Sequence, residues 1–221
     1  MQEQTLKSPT EYIKEAFRIY FKKENFVFFV KIMAVLAIIA SLIGYTLSYY
    51  EKPVYDPFYL LFITLTVIAG VWMNTIEYYS LLHIGGEVRS VFTAGIRNMF
   101  KFFLISLTVG LIIFFGLVLL IIPGIIFAVW YSFAIWLVLD RGLKIGEALR
   151  TSKAMVSGRF WKILGRSVVF GLFSLLASIV FGAVPYIGPF VLSLISPLLM
   201  LPFYLLYQDI SRGGLDNLGT A

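Results

Sequence analysis

Cysteine is absent from the 221 residues. That excludes a disulfide frame, a thiol nucleophile and a cysteine-ligated metal site. Histidine is nearly absent: His83 stands alone. Glu77 and Glu87 lie near it, but Gly85 and Gly86 interrupt the chain between them, and a metal site needs three or four ligands. His83 therefore reads as an ordinary interfacial side chain. No HExxH, GxSxG or phosphate-loop pattern occurs. No catalytic residue, cofactor-binding residue or metal ligand is nominated, and no cofactor is implied. Charge is the third shortage. Asp, Glu, Lys and Arg make up 14% of the chain, against about 25% in a soluble domain. So few charges do not clothe a water-facing surface.

What is present is apolar. Hydrophobic residues make up 60% of the chain, and mean hydropathy is +0.90. They fall into runs at 26–49, 58–82, 102–122, 125–139, 160–184 and 190–207. A bilayer core of about 30 Å takes about 20 residues of helix. The pattern predicts an all-α integral membrane protein with six transmembrane helices, one membrane domain over 1–221. A cleavable signal peptide is not expected, because the first run is too long and follows a tail of mixed charge. The net charge of +6 would suit nucleic acid, but the basic residues sit in gaps between apolar runs. No nucleic-acid partner is expected.

Short basic amphipathic helices precede the odd spans. In the first, Ser8, Pro9 and Glu11 form a helix start with a capping box. Ile13, Ala16, Phe17 and Tyr20 then share one face, opposite Lys14, Glu15, Arg18 and Lys22. The second groups Phe92, Ile96, Met99, Phe100 and Phe103 against Arg89, Arg97 and Lys101. The third covers about 144–157, with Ile145, Ala148, Leu149, Met155 and Val156 on one face and Lys144, Glu147, Arg150, Thr151 and Lys153 off it. Such helices lie in a membrane interface. Lys31, about one turn inside the first span, can snorkel to that interface.

The chain thus reads as three hairpin repeats at about 8–83, 84–141 and 142–210, with polar tails at 1–7 and 211–221. Each repeat is a basic amphipathic helix, a span, a proline-containing turn such as Pro123-Gly124, a second span and an acid: Glu77, Asp140 or Asp209. With six spans, every Lys and Arg except Lys52 lies on one side. The positive-inside rule then puts both termini in the cytoplasm.

The three acids sit near helix C-termini, where negative charge is unfavourable by about 0.3–1 kcal/mol unless paired. Arg89 is the expected partner of Glu77, and Arg150, Lys153 or Arg159 that of Asp140. Such pairs would lock each hairpin to its amphipathic helix; an ion or proton site is the alternative reading. Gly171, Ser174, Ser178 and Gly182 form a small-residue stripe suited to close helix packing. Pro197 and Pro202 mark the sixth span as interrupted or kinked, each freeing a carbonyl one turn earlier.

Pro123-Gly124, Asp140-Arg141-Gly142, the run from Glu147 through Ser152 and Gly158-Arg159-Phe160-Trp161 together resemble a prokaryotic six-span family. That family includes the membrane domain of glycerophosphoryl diester phosphodiesterases and many members without assigned activity. The N-terminal EAFRIYFKKENF stretch is similar to the start of such proteins. The resemblance implies a multi-pass plasma-membrane protein. It does not carry over the diesterase activity, because the soluble barrel and its acid and histidine set are not in this sequence.

The leading expectation is a non-enzymatic scaffold or lipid-interacting membrane component. Its partners would be membrane lipids, with anionic headgroups at the cytoplasmic face, and a protein partner or a second copy of the chain. A small transporter or transporter subunit is the alternative, and an intramembrane enzyme the third.

Overall fold

A computed structural model describes residues 6–49, 57–184 and 187–215. Lys52 and its loop, the Pro185-Tyr186 part of the last outer turn, and the far ends of both tails lie outside the described residues. Among the described residues all regular structure is helical: α1 (Pro9–Tyr20), α2 (Lys23–Tyr49), α3 (Pro57–Leu82), α4 (Val88–Leu119), α5 (Ile121–Trp130), α6 (Ala134–Arg141), α7 (Ile145–Val156), α8 (Phe160–Gly182) and α9 (Ile187–Leu215). Six helical segments are long and apolar enough to cross a membrane: α2, α3, α4, α5 with α6, α8 and α9. The protein is a multi-pass membrane protein.

The capping box forms at the start of α1. Ser8 Oγ accepts from the Glu11 amide, and the Ser8 amide donates to Glu11 Oε2 at 2.7 Å. The buried face of α1 is rotated from the expected one. Tyr12, Ala16 and Tyr20 are buried, whereas Phe17 is exposed. The spacing of i, i+4 and i+8 keeps those three on one stripe.

Three further departures concern where helices begin and end. The second short helix and the third span are not separate; α4 runs unbroken through both for 32 residues. No glycine or proline stands near Phe102 to interrupt it. The turn before the fourth span falls at Leu120, the one extended residue (φ −162°, ψ 143°) between α4 and α5. Pro123 sits in the first turn of α5, where its missing N–H has no partner to lose. Gly124 packs on α4 instead of turning the chain. A Cβ added at Gly116 would stand 2.9 Å from Gly124 Cα and 2.7 Å from Phe127, so only two facing glycines allow the hairpin to close this tightly. The fourth span itself is broken at Tyr131–Phe133 into α5 and α6.

The sixth span stays helical through both prolines and past Asp209 to Leu215. Pro197 leaves the Ser193 carbonyl without its amide donor, and the Ser196 hydroxyl takes that place at 3.0 Å. The neighbouring Leu194 carbonyl accepts from Tyr20 Oη at 2.8 Å. The Ser196 hydroxyl thus replaces the one donor that the Pro197 ring removes.

Burial is segregated along the helices. At one end, called the base here, Thr75, Ile76, Tyr79, Ser80 and Leu81 of α3 are buried. So are most of α6 and the residues Leu201, Leu205, Leu206, Tyr207 and Ile210 of α9. At the other end large apolar side chains face outward, including Ile38, Leu42, Leu61, Leu65, Leu119, Ile122, Leu176 and Val180. The small-residue stripe of α8 belongs to this outward surface. Ser178 is exposed, and a Cβ at Gly171 or Gly182 would meet nothing within 4 Å. It does not serve close packing within this chain, contrary to the expectation from spacing.

Candidate functional site

The polar residues singled out in the sequence gather in the base, but with other partners. Asp140, next to last in α6, accepts from Tyr207 Oη of α9 at 2.6 Å. Asp209 of α9 accepts from Tyr12 Oη of α1 at 2.8 Å. Glu77 of α3 lies beside the Ser196 hydroxyl of α9. The ion pairs found between described residues are Lys7–Glu15 at 2.7 Å and Lys22–Glu24 at 3.0 Å. Glu77–Arg89 and the pairing of Asp140 with Arg150, Lys153 or Arg159 do not form. The base is packed with aromatic side chains, so a tyrosine reaches each aspartate from inside while the cations stay in solvent. Arg150 and Lys153 are exposed, and Arg159 precedes α8. The Lys153 ammonium lies 4.2 Å from the centre of the Trp130 ring, a cation–π contact in place of an ion pair.

Burial, and then the Asp209 carboxylate that accepts its proton, push the Tyr12 phenol above its usual range. Arg166 completes the fastening of α1. Its guanidinium donates to the Leu6 carbonyl at 2.9 Å and to the Lys7 carbonyl at 2.6 Å. Helix α1 is therefore held to α9 at both ends, by Tyr12 and Tyr20, and to α8 by Arg166.

Ser152 does comparable work at the break in the fourth span. It is fully buried on α7. Its hydroxyl donates to the Trp130 carbonyl at 2.7 Å and accepts from the Phe133 amide at 3.2 Å. One hydroxyl thus satisfies the last residue of α5 and the residue before α6. Beside the break, Trp136 packs on Tyr78, Tyr204 and Tyr207, with ring centres 4.6–5.9 Å apart.

Residue type alone did not single out Tyr12, Tyr207, Ser152 or Arg166. The stripe of Tyr12, Ala16 and Tyr20 carried a signal for the first. Nothing local distinguishes Ser152 from the exposed serines, because its partners are 19 and 22 residues away.

Concavities open on the surface of the described residues, and two are relevant. One, of about 380 Å³ between α3 and α4, is lined by apolar residues such as Val67, Val71, Met99 and Phe103. Its one hydroxyl, on Thr64, is already bonded to the Leu60 carbonyl. The other, of about 260 Å³, lies between the start of α2 and the loop joining α3 to α4, and holds both Lys31 and Glu24. Among the described residues no three His, Asp or Glu side chains are grouped to hold a metal ion. The arrangement ties helices together with hydroxyls and carbonyls, and it leaves Arg89, Arg97, Lys101 and Arg150 exposed. Comparison with family models, curated proteins and solved structures finds no match for the chain.

Proposed function

We propose that the protein is a non-enzymatic, lipid-interacting membrane component that rests its base against anionic headgroups at the cytoplasmic face of a prokaryotic plasma membrane. In this reading the chain is three hairpin repeats, each led by a basic amphipathic segment, with both termini cytoplasmic. Kinship with the six-span family named above belongs to the same proposal and rests on the same motifs.

The observation that carries it is the segregation of the surface. Large apolar side chains are exposed along the bundle, at the base as elsewhere (Ile96, Phe100 and Trp161 among them), whereas among the described residues the charged side chains are confined to the base. The base presents Arg89, Arg97, Lys101, Arg150 and Lys153 outward. A basic residue near an anionic leaflet contributes about 1 kcal/mol, falling with salt. Purified protein reconstituted in vesicles tests this. Thermal stability should rise with the fraction of anionic lipid and lose that gain at high salt. Equal stability in neutral and anionic vesicles overturns it. Because the chain has no cysteine, Arg150→Cys and Lys52→Cys allow topology to be read with a membrane-impermeant thiol reagent. The two must label from opposite sides.

The broken fourth span favours a second reading, a small transporter or transporter subunit, since interrupted helices build many substrate pathways. Substrate flux in vesicles that is abolished by Asp140→Asn would establish it in place of the first.

A further inference from the structure

The pocket at the start of α2 carries charges of both signs, in an order that matches one class of lipid. Glu24 and Lys31 both line it, with Phe28 and the Gly85–Gly86 loop forming other walls. Gly85 has φ 77°, so the loop bends sharply and presents no side chain of its own to fill the space. The two charged residues are seven apart, about 10 Å along the helix. Lys31 is the one further into the apolar span.

The Lys31 side chain is exposed, and no described carboxylate lies within 4 Å of it. Glu24 touches Lys22, but both side chains are largely in solvent, at 77% and 64% exposed. Such a pair is weak and leaves the carboxylate open to a second cation. Beyond Lys31 the same face of α2 continues with Val35, Ile38 and Leu42, all exposed and spaced at helical intervals. The site thus runs from an acid, through a cation, to an apolar track.

We propose that this site binds an aminophospholipid. The phosphate sits on Lys31, the ammonium on the Glu24 carboxylate, and an acyl chain lies along Val35, Ile38 and Leu42. An aminophospholipid has its phosphate nearer the chains and its ammonium further out, which is the order of Lys31 and Glu24. A choline headgroup offers Glu24 no N–H donor. A glycerol headgroup offers it no positive charge. At about 260 Å³ the pocket is smaller than the 300–1,000 Å³ that encloses a whole small ligand, which suits a headgroup whose chains lie outside. The assignment rests on the lipid-interacting reading above and makes it specific.

Delipidated protein in detergent, titrated with short-chain phosphatidylethanolamine, phosphatidylglycerol or phosphatidylcholine and read by native mass spectrometry, tests it. Wild type should retain phosphatidylethanolamine about tenfold more tightly than phosphatidylcholine, the equivalent of one charge-assisted hydrogen bond. Lys31→Gln should lower retention of both phosphatidylethanolamine and phosphatidylglycerol. Glu24→Gln should remove the preference for phosphatidylethanolamine over phosphatidylglycerol. Val27→Trp, at an exposed position lining the pocket, should weaken all three with both charges in place. Unchanged melting of each variant without lipid shows that the fold is intact. Wild-type retention of phosphatidylethanolamine by Lys31→Gln and Val27→Trp overturns the site. If the vesicle stability gain persists in that case, the general lipid reading survives. If that gain is absent as well, both fall.

Discussion

The break in the fourth span depends on one hydroxyl, and Ser152→Ala measures how much. The side chain is fully buried, and alanine differs from it by only the oxygen, so no cavity of consequence forms. What is lost is the bond to the Trp130 carbonyl at 2.7 Å and that from the Phe133 amide at 3.2 Å. A buried backbone group left without a partner costs about 1–3 kcal/mol. With the Phe133 amide buried but its bond longer, and the Trp130 carbonyl only part-buried, the expected loss is about 2 kcal/mol. The assay is reversible unfolding in mixed micelles, followed by tryptophan fluorescence. Trp130 and Trp136 flank the break and report on it directly. Ser132→Ala is the control. Its hydroxyl bonds only the nearby Val129 carbonyl, at a part-buried position, and its loss should stay below about 1 kcal/mol. Hydrogen exchange in Ser152→Ala should accelerate first at residues 131–134. If it unfolds within about 0.5 kcal/mol of wild type, or no more easily than Ser132→Ala, the reasoning is refuted, and α7 does not hold the two half-helices together.

Other substitutions test separate joints. Tyr12→Phe removes the bond to Asp209 and should cost about 1.5–3 kcal/mol, as for hydrogen bonds to charged groups. The Tyr12 phenol is raised in the folded state. Its contribution is therefore complete below the unfolded value of about 10 and fades as pH climbs through the folded one. The gap between wild type and Tyr12→Phe, measured by unfolding, should be constant from pH 7 to about pH 9 and narrow above about pH 10. A gap that widens there contradicts the assignment. Gly116→Ala drives a methyl into Gly124 and Phe127 and should destabilise by about 1–3 kcal/mol. Gly110→Ala, with nothing within 4 Å, should be neutral or stabilising by up to about 1 kcal/mol; equal melting of the two variants counts against the tight α4–α5 contact. Arg166→Gln releases the Leu6 and Lys7 carbonyls and should speed hydrogen exchange at the start of α1 while leaving α7 unchanged.

Composition and run length were enough to determine that this is an all-helical protein with six segments able to cross a membrane, because a bilayer imposes a length and a polarity that any sequence must meet locally. The capping box of Ser8 and Glu11 was equally legible, since all its atoms come from four consecutive residues. Partner choice was not. Asp140 and Asp209 were visible as costly acids; for Asp140 a charge rule pointed to arginine and lysine, and for Asp209 it named no partner, while the folded base delivers Tyr207 and Tyr12 from helices distant in sequence. The prolines of α9 marked where backbone donors are missing, but the sequence did not show that the helix continues through both or that the Ser196 hydroxyl bonds the Ser193 carbonyl. The fourth span looked short from its apolar run, and the serine that caps its break sits on another element. Local chemistry, in short, settles what each segment can be; which donor meets which acceptor depends on packing over tens to nearly two hundred residues, and that was decided in three dimensions.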